Sequence, residues 1–275
     1  MLTERAHHGK VIRQKDGWRL EIAEGGPSAY RLAQLDDYAS LARSRFKWRE
    51  QATLSLRCRV SQPNLPGTWG FGLWNDPFTV SLGLQGMARR LPVLPNACWF
   101  FHASAENHLS FKDSNVSRRW GIAPKSGDFG VQPVPANGFL AQTFASPRIP
   151  SALLAPGVFG LPLLAIRLLS KWLRANMAAR LIREEAKRLS VDVTEWHEYS
   201  LKWAANRVEF AIDGEKAFET ATSPKGPLGL VIWIDNQYAA WRPDGSLGAG
   251  TLANPAAWME INPTHLDFPK GETHD

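Results

Sequence analysis

Residues 195–214, Glu-Trp-His-Glu-Tyr-Ser-Leu-Lys-Trp-Ala-Ala-Asn-Arg-Val-Glu-Phe-Ala-Ile-Asp-Gly, constrain the fold more than any other stretch of the chain. Tyr199, Leu201 and Trp203 alternate with Ser200 and Lys202, and Val208, Phe210 and Ile212 alternate with Glu209 and Ala211. This is the period-two pattern of two half-buried strands. Only Ala204 to Arg207 joins them, too few residues for a crossover and suited to a hairpin. Asp213-Gly214 marks the next turn, because glycine tolerates the positive φ of a tight reversal.

The same period recurs elsewhere. Residues 17–24 alternate and end at Gly25-Gly26-Pro27, and a second run, Tyr30 to Tyr38, is expected to pair back on them. Residues 52–60 put Ala52, Leu54, Leu56, Cys58 and Val60 on one face and Thr53, Ser55, Arg57 and Arg59 on the other, so one face is buried and one is wet. Residues 216–222 predict a further strand, Gly229–Asp235 reads as a buried strand with a polar end, residues 241–246 as a turn and residues 258–261 as a closing strand. Residues 112–159, rich in Pro, Gly, Ser and Asn, read as loop over one end of the fold.

Between residues 161 and 189 the period becomes helical. Leu164, Leu168, Trp172, Ala175, Ala179, Ile182, Ala186 and Leu189 recur at spacings of three and four, with Arg167, Lys171, Arg174, Arg183 and Lys187 on other faces. Pro162 suits the first turn. Such a helix packs across the sheets, forms a lid, or lies on a membrane surface as a basic amphipathic segment; Pro156, Gly157, Gly160 and Pro162 interrupt it as a transmembrane span.

The pattern Trp-His-x-Tyr-x-Leu-x-Trp, a short turn, then Val-x-Phe-x-Ile-Asp-Gly resembles the hairpin of the concanavalin A-like lectins and glucanases. The resemblance implies a mainly β fold, a two-sheet antiparallel jelly-roll sandwich, here read as one domain over residues 1–275 with a long inserted helix at 161–189. Its strand order is followed from about Ala52 to Ile261. Gly67-Thr-Trp-Gly-Phe-Gly-Leu-Trp-Asn-Asp-Pro-Phe is similar to the aromatic strand that precedes the catalytic strand in glycoside hydrolase family 16, with Trp69, Phe71 and Trp74 as counterparts. Glycines between aromatics let a ligand or another backbone approach closely. The following strand in that family carries Glu-x-Asp-x-x-Glu, whereas here Glu106 stands alone and Phe101 and Ala103 occupy the two earlier positions.

Three functions follow. The first is a glycan-binding protein, in which Trp69, Trp74, Trp99 or Trp233 stack on sugar rings, a use that suits amphipathic rings, while Asn75, Asp76, His102, Asn236, Gln237 and Tyr238 supply polar contacts. The second is an enzyme with a rebuilt site, in which Asp76, Glu106 and Asp235, with His102 or His108, carry acid/base chemistry on a glycoside or on a small apolar substrate to be protonated and cyclised. A carboxyl among aromatic rings has a raised pKa, which suits a general acid. The third is a structural or membrane-surface role through the inserted helix.

Twelve Trp and thirteen Phe, against four Tyr, support an aromatic-lined site. The net charge of +6 comes without a nucleic-acid type Lys/Arg run, so the expected partner is a glycan or small molecule and not nucleic acid. No spacing of metal ligands or dinucleotide motif stands out, and no cofactor is assigned. Cys58 and Cys98 are read as two buried thiols or one bridge. The start of the chain lacks an apolar signal-type run, so a cytoplasmic location is expected.

Overall fold

The computed structural model describes residues 2–77, 90, 93–111, 135–149 and 166–267, the last three by backbone alone. Four strands open the chain: β1 (Thr3–His7), β2 (Gly9–Arg13), β3 (Trp18–Ile22) and β4 (Leu32–Asp36). They are followed by β5 (Ala52–Val60), β6 (Thr68–Trp74), β7 (Ala97–Ala103) and β8 (Gly138–Ala145). Helix α1 runs through Arg167–Leu173, a π turn at Arg174–Ala178 and a last turn at Ala179–Leu181. Then come β9 (Arg183–Arg188), β10 (His197–Ala204), β11 (Arg207–Ile212), β12 (Glu215–Thr220) and β13 (Gly229–Asp235). The chain closes with β14 (Gln237–Trp241), β15 (Leu247–Thr251) and β16 (Ala257–Asp267).

Antiparallel pairing builds two seven-stranded sheets, β1-β4-β13-β6-β7-β8-β9 and β12-β11-β10-β5-β16-β3-β2, while β14 and β15 form a separate hairpin. The result is the expected mainly β jelly-roll sandwich with a helix inserted between β8 and β9. The β10–β11 hairpin has the predicted register, Leu201 opposite Phe210 and Trp203 opposite Val208. Its apolar side chains meet the other sheet in one core: the Phe100 ring lies 5.1 Å from Tyr199 and 5.2 Å from Phe210, and Phe71 lies 5.3 Å from Tyr199. Each ring so buried contributes about 2–3 kcal/mol of transfer free energy. His197 fixes the near end of the hairpin, with Nδ1 2.6 Å from an Asp213 carboxylate oxygen and Nε2 3.1 Å from the Asp192 carbonyl.

Three expectations are corrected. Strand β4 does not pair back on β3; it lies between β1 and β13 in the other sheet. The burial pattern explains the choice, because four of the five β4 residues are buried, as a sheet interior requires, whereas Arg19 and Glu21 of β3 alternate outward. The loop read over 112–159 contains β8, a strand buried on both faces and therefore without the alternation that marks a strand in sequence. Residues 112–134 and 150–159 lie outside the described residues.

The helix predicted over 161–189 ends at Leu181, and its first residues, 161–165, lie outside the described residues. Ile182 turns to extended geometry, and β9 pairs with β8, supplying the backbone partners that this edge needs. Its predicted apolar stripe also faces the wrong way: Ser170 and Arg174 are buried, while Leu168 is 81% and Trp172 55% exposed. Cys58 and Cys98 are free, buried thiols, and burial pushes both thiol pKa values up.

Candidate functional site

Strand alternation decides which side chains of the first sheet face away from the core. In β6 the residues Trp69, Phe71 and Leu73 point into the sandwich, so Thr68, Gly70, Gly72 and Trp74 lie on the outer face; Trp99 and Phe101 of β7 and Val231, Trp233 and Asp235 of β13 lie there too. A cavity of about 840 Å³ covers this face. Its floor is aromatic: Trp99 lies 5.3 Å from Phe101, 5.7 Å from Trp233 and 5.9 Å from Trp74. The continuous burial of β13, from Gly229 to Asp235, follows from this arrangement, since one face meets the core and the other meets the aromatic floor.

The glycines of β6 make the floor possible. A Cβ on Gly70 would stand 2.5 Å from the Phe100 carbonyl oxygen and 3.0 Å from the Trp233 ring. One on Gly72 would stand 2.5 Å from Trp99 Cα. The 2.5 Å contacts, to the β7 backbone, are shorter than a real Cβ tolerates, so glycine at these positions is what lets β7 and its Trp99 lie this close to β6, and the Trp233 ring would have to shift. Trp233 is held by its indole N–H, which donates to Thr68 Oγ1 at 2.9 Å, and Trp99 by its N–H, which donates to Gln142 Oε1 at 3.1 Å.

The roof is the β14–β15 hairpin together with residues 107–111. His108 binds β14 through its backbone, donating to the Ala239 carbonyl at 3.0 Å and accepting from Trp241 N at 3.2 Å. Arg174 of α1 locks this roof, donating to the carbonyls of Trp241, Phe111 and Ser110 at 2.8, 2.9 and 2.7 Å. Its guanidinium also stands 3.3 Å from His108 Nε2, and since arginine only donates, that nitrogen presents its lone pair. Behind Trp99, Gln142 donates to the fully buried Glu184, which also accepts from Ser110 Oγ and Phe111 N. The Tyr238 ring lies over Gly248 and Gly250, where a Cβ would come within 3.3 and 3.1 Å of it.

Asp235 stands at the Thr68 end of the floor, 7% exposed. Its Oδ1 accepts from Thr68 Oγ1 at 2.7 Å and from Gln237 N at 3.2 Å, and the Tyr30 hydroxyl bonds to the same carboxyl. These bonds favour the carboxylate, but desolvation outweighs them and raises the pKa from 3.8 to about 7. The same burial, with the Asp235 charge beside it, raises the Tyr30 hydroxyl pKa.

The predicted site residues divide. Trp74, Trp99, Trp233, Asp76, Asp235, Gln237 and Tyr238 all line the cavity. Trp69 is in the sandwich core, stacked 4.9 Å from Phe139. His102 is also on the core side, 5.5 Å from the Trp69 ring with Nε2 3.2 Å from the Leu65 carbonyl, and burial lowers its pKa to about 4. Glu106 is exposed in the turn after β7 and outside the cavity lining.

Asn236 and Asn75 have their side chains occupied by backbone. Asn236 accepts from Arg31 N and donates to the Ala29 and Leu252 carbonyls; Asn75 accepts from Asn96 N and donates to the Leu94 carbonyl. Asp76 is ion-paired with Arg90 at 2.5 Å. Asp235 is registered opposite Thr68, at one end of β6, and Asp76 lies beyond Trp74 at the other, so about 20 Å of strand separates the two ends. The two carboxyls are brought to one cavity but not to one reacting bond.

Sequence reasoning missed Tyr30, Thr68 and Arg174. Tyr30 and Thr68 are distant in sequence from Asp235 and carry no motif; the one available signal for Arg174 was a basic residue at i+4 from Ser170 on a helix that would otherwise be apolar inward.

No protein-family model and no curated protein sequence matches the chain. Among solved structures it is similar to a glycoside hydrolase family 16 endo-glucanase from Bacteroides ovatus, at 12% identity over 95% of this chain and 92% of that one, with a TM-score of 0.43. It is similar also to the laminarinase catalytic domain from Thermotoga maritima, at 10% identity over 94% and 81% of the two chains, TM-score 0.43. The β-glucanase of Bacillus licheniformis is similar at 9% identity over 95% and 89%, with a TM-score of 0.40.

Proposed function

We propose that the cavity binds an organic ligand against the Trp99–Trp233 floor and that Asp235 exchanges a proton with it, making the protein an acid/base enzyme. The observation that carries this reading is Asp235 itself: a carboxyl facing an aromatic cavity with its pKa raised to about 7, where both protonation states are populated near neutrality. General acid/base groups work best in that range. The protonated form donates to a ligand oxygen or unsaturated carbon; the carboxylate then takes a proton back from the product or from water. Thr68 and Tyr30 orient the carboxyl, and the faces of Trp99, Phe101 and Trp233 stand where they stabilise positive charge developing on the ligand. An aromatic floor with few polar groups favours a compact, largely apolar ligand.

A glycan is the second reading, favoured by the half-buried Trp74, Trp99 and Tyr238 rings beside the amides of Gln34 and Gln237. Stacking on such rings with a few amide contacts is a binding mode for sugars as well as for apolar molecules. Two-carboxylate retaining hydrolysis would place its groups about 5–5.5 Å apart, a spacing that Asp76 and Asp235 do not offer from opposite ends of β6.

Tryptophan-fluorescence titration against soluble glucans, galactans and xylans in one panel, and against small terpenoid and aromatic compounds in another, separates the two, with product analysis in the same samples. The acid/base reading expects saturable quenching by the second panel and product formation lost in Asp235→Asn with binding retained. Quenching by glycans alone, with unchanged substrate, replaces it by the glycan-binding reading. Turnover that survives Asp235→Asn removes Asp235 from the chemistry.

A further inference from the structure

Helix α1 is amphipathic in the reverse sense. An amphipathic helix on a globular protein turns its apolar stripe to the core and its polar face to water. Here the inward positions are Ser170, whose hydroxyl accepts from Trp241 Nε1 at 3.0 Å, and Arg174, spent on three roof carbonyls. The face turned outward carries Leu168 at 81% exposure and Trp172 at 55%, one turn apart; Ile166, at the helix N-cap, and Met177, in the π turn, are exposed on other sides. Among the described residues six large apolar side chains are exposed, and four of them are these; a fifth, Leu247 at 47%, opens β15 at the same edge. The loop between β14 and β15 joins the two elements, since Asp244 pairs with Arg167 and a Cβ on Gly245 would stand 2.3 Å from the Arg167 carbonyl oxygen.

The helix itself carries charge of one sign, and Asp244 of the adjacent loop offsets Arg167 alone. Arg167, Lys171 and Arg180 are exposed on the helix, and the sequence holds no Asp or Glu between Asp128 and Glu184. Trp172 is the residue type that prefers the boundary between headgroups and hydrocarbon. A second protein surface would need matching apolar area and acidic groups; an anionic bilayer supplies both at once. Among the described residues no helix is long and apolar enough to cross a membrane.

We propose that the outward pair of Leu168 and Trp172, flanked by Lys171 and Arg180, docks the protein on an anionic lipid bilayer. The docking edge includes Leu247, which also lines the cavity. The cavity mouth is thereby held beside the membrane surface, from which an apolar ligand has a short path. This inference stands on the helix and not on the chemistry assigned to Asp235.

The test is co-sedimentation of the full chain with vesicles of phosphatidylcholine alone and of phosphatidylcholine with about one third phosphatidylglycerol. Retention is expected only on the anionic vesicles, and it is expected to collapse at about 1 M salt, where the screening length is roughly 3 Å. Lys171→Ala should lower the partition coefficient about fivefold, the effect of one basic group near such a surface. Trp172→Ala should lower it about tenfold through lost apolar burial. Neither residue touches the cavity, so the ligand titration of both variants should match wild type, and circular dichroism checks that both remain folded. No retention on anionic vesicles at low salt, or equal retention of both variants, overturns the proposal. So does a dimer in lipid-free buffer that dissociates in Trp172→Ala, since the pair would then be covered by a second copy.

Discussion

Replacing Asp235 by Asn isolates the energetic consequence of burying an acid against the aromatic floor. In the fold the carboxyl keeps its proton up to about pH 7, against an ordinary value of 3.8. Between those values the unfolded chain has released the proton and the folded chain has kept it. The folded state therefore binds more protons, and stability is lost as pH rises through this window. Worked through the linkage relation, about 2–3 kcal/mol disappears between about pH 5 and pH 8.

His102 acts in the opposite sense. Its pKa is lowered from 6.5 to about 4, so the unfolded chain takes up a proton first and stability is lost as pH falls through that interval. Its contribution grows by about 2 kcal/mol between about pH 5 and pH 8. The two groups nearly cancel in wild type. Asp235→Asn removes one of them while keeping the shape, so the variant should gain about 2–3 kcal/mol relative to wild type on passing from about pH 5 to pH 8. Urea unfolding of both proteins at the two pH values measures this double difference, in which all other titrating groups drop out. Parallel pH dependences would mean instead that the carboxyl ionises as freely in the fold as in the unfolded chain.

The complementary variant, His102→Gln, should lose about 2 kcal/mol relative to wild type over the same rise in pH, and a slope unchanged from wild type would show that His102 titrates normally. Gly70→Ala should cost about 1–3 kcal/mol, the usual effect of overpacking, because the new methyl meets the Phe100 carbonyl and the Trp233 ring at 2.5 and 3.0 Å. Its fluorescence should also change as Trp233 leaves Thr68; a variant as stable as wild type with an unaltered spectrum would show that the floor does not depend on this glycine.

The sandwich was legible where one face is wet. Strands β5 and β10 alternate without a break, and their ends fall where the sequence pattern puts them. Strand β8 was not legible, because residues buried on both faces follow no two-residue period. Leu32–Asp36 was readable as a strand but not as a neighbour of β13, since pairing is decided by long-range packing of Ala33 and Leu35 against the core. The helix was legible to Leu181 and its orientation was not. An apolar spacing of three and four says that a stripe exists, not that it turns inward, and Arg174 shows how a buried cation with three carbonyl partners can reverse it.

For the site, aromatic abundance and the abrupt polarity after Ile234 located Asp235, Trp233 and Gln237 on the cavity, and the glycine-spaced strand located Trp74. Strand parity separated the rest. Trp69 and His102 each sit one residue from a cavity-facing neighbour, and that single step sends them to the core. Asn236 illustrates a different limit, since an amide at a strand end serves a ligand or the backbone equally well by composition, and here it joins Ala29, Arg31 and Leu252.

Whether a proton-exchanging carboxyl faces the aromatic cavity is read from the side-chain carboxyl carbon resonance of Asp235, followed with pH in carbon-13 labelled protein and assigned by its loss in Asp235→Asn. A titration midpoint near 7 is expected. A midpoint near the ordinary value of 3.8 would contradict it, leaving Asp235 a permanently ionised group unable to donate a proton at neutral pH.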